Sequence, residues 1–111
     1  QINEPLFEWV IENLTKNAVD AIQGEGSIEY HITNNNDKVF IDITDTGKGI
    51  PLNKQKSIFN PGYTTKERGW GLGLSLVKRI VEEQLKGKIF VKTSEVNKGT
   101  TFRIILNKPI R

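Results

Sequence analysis

Cysteine is absent from this chain of 111 residues, and histidine occurs once, at His31. No disulfide or thiolate metal site can be built from such a sequence. A zinc site or a nucleophilic triad lacks its parts too. Long apolar stretches are missing as well: the runs extend over only a few residues, far short of a membrane span. The N-terminus carries no secretory signal pattern, and the lack of cysteine suits a reducing compartment. A cytoplasmic fragment without membrane contact is expected, with the anchor of any membrane-bound parent outside it. Nor does one sign of charge dominate, with 16 basic residues against 13 acidic ones and a net charge of +3. No Lys/Arg block is interleaved with aromatics, so nucleic acid is not an expected partner. The P-loop pattern and the G-x-G-x-x-G dinucleotide pattern are both missing.

Glycine, by contrast, is concentrated where it has a use. Gly69-Trp70-Gly71-Leu72-Gly73-Leu74 sets three glycines at alternate positions and runs into the helical pattern Leu72, Leu76, Val77, Ile80, Val81. Glycine weakens a helix, but it lets backbone N–H groups approach a ligand closely at a helix start. That combination binds anions, phosphate above all. Asp45-Thr46-Gly47-Lys48-Gly49 stands upstream, and Lys48, Lys54, Lys56, Lys66 and Arg68 fall in the same region. This local excess of positive charge suits a polyanion.

The length fits one domain, residues 1–111, able to bury about two-thirds of its unfolded surface. Pro5 marks a helix start, and Leu6, Phe7, Val10, Leu14, Ala18 and Ile22 continue it to about Gln23. Ile28, Tyr30 and Ile32 alternate with polar residues, which predicts a half-buried strand. Asn34 to Asp37 is a turn. Val39, Ile41 and Ile43 mark the buried face of the next strand. A short helix is expected over 52–58, an irregular segment over 59–70, and a second long helix over 71–85. A closing hairpin follows, with Ile89, Val91 and Thr93 in phase, a turn near Asn97-Lys98-Gly99, and Phe102, Ile104 and Leu106 on its second strand. The expected fold is an α+β two-layer sandwich. About three helices lie on one face of a mixed, mostly antiparallel sheet of four to five strands.

Asp45 continues the buried phase of Ile41 and Ile43, so its carboxylate points inward and needs a partner. A turn-capping role explains an Asp-Thr-Gly sequence equally well. Thr100, in phase with Phe102 and Ile104, points inward beside it. Together they suit an exocyclic amino group, such as that of adenine. Asn13 and Asn17 lie one turn apart on the first helix. As poor helix formers they are either surface decoration or amide oxygens for Mg²⁺. Thr64, Thr65, Lys66 and Arg68 belong to a charged loop bounded by glycines, either solvated or a lid able to reach phosphates.

In this order the motifs resemble the ATP-binding catalytic domain of bacterial sensor histidine kinases, of the gyrase, Hsp90, histidine kinase and MutL superfamily. Asn13-x-x-x-Asn17-Ala18 is similar to its N box, and Asp45-x-Gly47-x-Gly49 to its G1 box. Ile58-Phe59 to Lys66 resembles the F box, Gly69-x-Gly71-Leu72-Gly73-Leu74 the G2 box, and Gly99-Thr100 the last glycine motif. The resemblance covers nearly the whole chain. It implies a Bergerat-type sandwich of three helices and five strands. It further implies that Asp45 binds the adenine amino group with Thr100 assisting, and that Asn17 holds Mg²⁺ with Asn13 beside the phosphates. Gly71 and Gly73 would cradle the phosphates with their neighbours Gly69 and Leu72, and Lys66 or Arg68 would contact the γ-phosphate from a mobile lid. ATPase members carry Glu where Asn13 stands, and an amide cannot serve as the base for water. Transfer to a histidine is therefore expected rather than hydrolysis. The acceptor would lie on a separate dimerisation and phosphotransfer domain, with a response regulator downstream. His31, followed by Ile32 on a strand, is not that acceptor. The isolated domain is expected to be monomeric and to transfer nothing alone. A non-catalytic nucleotide-binding regulator, an ATPase and a serine kinase of the superfamily are the alternatives.

Overall fold

A computed structural model describes residues 4–60 and 70–108, with the backbone alone for 70–72. Helix α1 spans Glu4–Ala21. Pro5 sits in its first turn, where a missing N–H breaks no helical bond. Val10, Leu14 and Ala18 are its buried stripe. Strands β1 (Ile28–Asn34) and β2 (Lys38–Asp45) form an antiparallel hairpin. Asn35 closes its turn, accepting the N–H groups of Asp37 and Lys38 at 2.8 Å each. Two 3-10 turns, Leu52–Lys54 and Ser57–Phe59, stand where a single short helix was expected. Helix α2 covers Trp70–Arg79 and continues as a π turn through Ile80–Gln84. Strands β3 (Lys88–Glu95) and β4 (Gly99–Asn107) complete the fold.

The sheet order is β1-β2-β4-β3, and every pairing is antiparallel. The expected sandwich with a mostly antiparallel sheet of four to five strands is thus found, with four strands, all antiparallel, among the described residues. No fifth strand occurs among them. The helices cover one face. Val10, Leu14, Val77 and Val81 meet Ile41, Ile43, Ile104 and Leu106 in one buried cluster. Burying each such side chain stabilises the fold by about 1.5–3 kcal/mol. Phe59 packs edge-on against Phe102, with ring centres 6.1 Å apart, anchoring the 3-10 segment to β4.

Two expectations of strand burial fail. Strand β1 is not half-buried: Tyr30 is 48% exposed and Ile32 67%. It lies at the sheet's edge, where only Ile28 is partly shielded and α1 reaches it through the Thr15 hydroxyl, 2.6 Å from that of Tyr30. In β3 the register shifts between Val91 and Thr93. This bulge breaks the phase of Ile89, Val91 and Thr93, leaving Thr93 exposed and pairing Ser94 with Thr100.

Candidate functional site

Helix α1 aligns much of the site. The Asn13 Nδ2 donates to the Trp9 carbonyl at 2.9 Å, and the Asn17 Nδ2 donates to the Asn13 carbonyl at 3.2 Å. Each amide nitrogen is tied back to its own helix, so the oxygen is the atom each presents. Among the described residues, a Cβ built at Gly73 would meet the Asn13 Oδ1 in ordinary contact, at 3.8 Å. Asn13 therefore faces the start of α2. At its other end α1 meets the loop after β2. The Lys48 N–H caps the Ala21 carbonyl at 3.0 Å, and a Cβ on Gly47 would strike Ala21 at 2.7 Å. Gly73, Asn13, Asn17, Ala21, Gly47 and Asp45 thus form a row. Asn13 and Ala21 are two turns apart, about 12 Å along the axis.

Asp45 is 4% exposed at the end of β2, opposite Thr100 in the β2–β4 register. Burial pushes its carboxyl above the usual carboxylate value, opposed by hydrogen bonds from the backbone of Gly47 and Thr100. The Gly47 bond is 2.8 Å long. Both glycine-bearing turns press on this end of the sheet. Gly99 holds φ +121°, and a Cβ there would run into the Asp45 carbonyl. Gly49, at φ +76°, leaves no room either, because a Cβ would enter the Glu95 carbonyl. The Asn97 N–H then donates to the Lys48 carbonyl at 2.7 Å. Gly47, Gly49 and Gly99 are thus demanded by packing within the chain. Among the described residues none presses on Gly73 in that way, although glycine costs a helix about 1 kcal/mol against alanine.

Comparison with known proteins matches residues 2–110 to the histidine kinase-, DNA gyrase B- and HSP90-like ATPases. The chain belongs to this family. Its relatives are named histidine kinases. The sensor histidine kinase ZraS of Salmonella typhimurium is 43% identical over 98 residues, which cover 87% of this chain and 21% of ZraS. Sporulation kinase E of Bacillus subtilis is 43% identical over 106 residues, covering 95% of this chain and 14% of that kinase. The chain thus spans about a fifth or less of the length of these relatives. The catalytic domain of histidine kinase ThkA, in a nucleotide-free form, superposes with a TM-score of 0.84 at 32% identity. That match covers 96% of this chain and 70% of the ThkA domain. The fold is therefore that of a histidine-kinase catalytic domain.

Within this kinase-type fold the described residues join Asn13 to Gly73, and Asp45 to Gly47 and Thr100. Thr64, Thr65, Lys66, Arg68 and Gly69 lie outside the described residues, as does the side chain of Leu72. The Thr100 hydroxyl bonds to the Ser94 Oγ, at 2.7 Å, while its backbone N–H turns to Asp45. Ser94 was not legible as a site residue. The bulge in β3 hides its inward phase, and a serine in a strand carries no signal of its own. No helix among the described residues is long and apolar enough to cross a membrane.

Proposed function

We propose that this chain is the nucleotide-binding module of a two-component sensor kinase. It binds ATP with Mg²⁺ and donates the γ-phosphoryl group to a histidine on a separate dimerisation domain. A response regulator then accepts the group. The module works in the cytoplasm and is monomeric when isolated. The observation that carries this reading is the row of side chains along α1. An inward carboxylate stands at one end, two amide side chains tied by their nitrogens to the helix in the middle, and Gly73, near the start of α2, beyond them.

Each part has a chemical use. Asp45, ionised, accepts a proton of the adenine 6-amino group, and Thr100 assists. The Asn17 oxygen suits Mg²⁺, a hard cation that takes few protein ligands when phosphates supply the rest. Bound there, the ion would neutralise charge developing on the phosphates. Asn13 lies beside them, and the Gly71–Gly73 backbone cradles them at the N-terminus of α2. Thr64, Thr65 and Gly69 are assigned to phosphate binding with them, and Lys66 or Arg68 to the γ-phosphate. In the transfer, the bond from the γ-phosphorus to the ADP oxygen breaks and a bond to imidazole nitrogen forms. Asn13 has no basic atom to activate water, which disfavours the ATPase reading.

The test mixes the chain with a helical hairpin that bears an acceptor histidine, and with γ-labelled ATP. Acid-labile label on the hairpin is expected, and none on the hairpin without histidine. Steady release of inorganic phosphate by the chain alone would contradict the reading. Acid-stable label would point to a serine kinase instead.

A further inference from the structure

Ser94 stands at the junction of the two turns that enclose Asp45. Its Oγ accepts the N–H of Ile50, just past the Gly47–Gly49 turn, at 2.8 Å. It donates to the Gly99 carbonyl at 3.1 Å and lies 2.7 Å from the Thr100 Oγ1. A serine hydroxyl has one proton and two lone pairs. Ile50 takes one lone pair, and the proton goes to Gly99. The remaining lone pair can only accept, so Thr100 must donate its own proton to Ser94. That leaves the Thr100 oxygen as an acceptor toward its surroundings. Asp45, its partner across the β2–β4 register, is an acceptor too.

We propose that Ser94 is a specificity-determining residue that acts through Thr100. By taking the Thr100 proton it makes Asp45 and Thr100 a pair of acceptors, matched to an exocyclic amine with two N–H groups. A purine with a 6-oxo group presents an acceptor there and is rejected by both. This rests on the assignment of Asp45 to the base. Ser94 is a positioning residue and touches no nucleotide itself. Its half-buried site on β3 is set by the bulge after Val91.

The test is calorimetric binding of ADP and of inosine diphosphate to the 111-residue chain. The wild type should prefer ADP strongly. In Ser94→Ala the Thr100 proton is free to turn outward and meet a 6-oxo group. The preference should then fall about fivefold or more, the worth of one hydrogen bond. Ser94→Thr keeps the hydroxyl and should restore it. Thr100→Val removes the oriented hydroxyl at constant shape and should lower the preference too, even where Ser94→Ala fails to fold. An unchanged preference in folded Ser94→Ala overturns the proposal. Equal loss of both nucleotides overturns it too, since that is a purely structural effect. So does an equal fall in Ser94→Thr, or a wild-type preference in Thr100→Val. Failure of the wild type to discriminate would remove the Asp45 assignment and this proposal with it. Discrimination abolished only by Asp45→Asn would retain the first and remove the second.

Discussion

Asp45 and Gly73 are single residues whose energetics run against the stability of the fold. Burial holds the Asp45 carboxyl above its ordinary value of 3.8. The native chain therefore binds this proton more tightly than the unfolded one. The stabilisation is full below 3.8 and is lost as pH rises through the native value. The ionised form, which the proposed base recognition requires, is thus the less stable one. ADP affinity should fall on acidification with a midpoint above the ordinary carboxylate value. Calorimetry across this range, with Asp45→Asn as the control, checks it. Among the described residues, a Cβ at Gly73 would make only an ordinary contact, with the Asn13 Oδ1 at 3.8 Å. Gly73→Ala should stabilise the chain by about 0.5–1 kcal/mol in thermal denaturation. It should also weaken Mg·ADP binding about tenfold, because a methyl in a filled cradle costs 1–3 kcal/mol. A stabilised variant with unchanged affinity would place the phosphates elsewhere.

At the scale of elements, periodicity told most where one face of an element is fully covered. The stripe Val10, Leu14, Ala18 and the alternation in β2 and β4 were legible because each meets the core along its length. Tyr30 and Ile32 alternate just as well, but alternation does not say whether a strand is central or at an edge. The bulge in β3 left no mark in composition. On the uncovered face of the sheet Asp42 binds Arg103 through two hydrogen bonds, of 2.8 and 2.9 Å, and Lys92 at 3.3 Å. It thereby joins three strands. The Arg103 hydrogen bond, foremost, holds the Asp42 carboxyl below 3.8. Its contribution is present above 3.8 and is lost as pH falls through the native value. Asp42→Asn should be less stable at neutral pH and lose less stability on acidification than wild type, as urea midpoints would show. Equal slopes would deny the pair a role. Leu14→Ala and Ile104→Ala, both at fully buried positions, should each cost about 2–5 kcal/mol.

Across the whole molecule, a helix and two turns bring together residues far apart in sequence. Asn13 meets Gly73 through the packing of α1 on α2, and Asp45 meets Thr100 through the β2–β4 ladder. The motifs disclosed these residues. What they could not disclose is the division of labour among the glycines. Gly47, Gly49 and Gly99 serve close packing, whereas among the described residues a side chain at Gly73 would make only an ordinary contact with Asn13. The phosphoryl acceptor is assigned to another domain, so nucleotide binding is the part of the account that this chain can answer for by itself. Calorimetry of ADP with and without Mg²⁺ on wild type, Asp45→Asn and Asn17→Ala tests it most directly. Binding by the wild type is expected, with loss in Asp45→Asn and loss of the Mg²⁺ enhancement alone in Asn17→Ala. Wild-type affinity and Mg²⁺ dependence in both variants would contradict it.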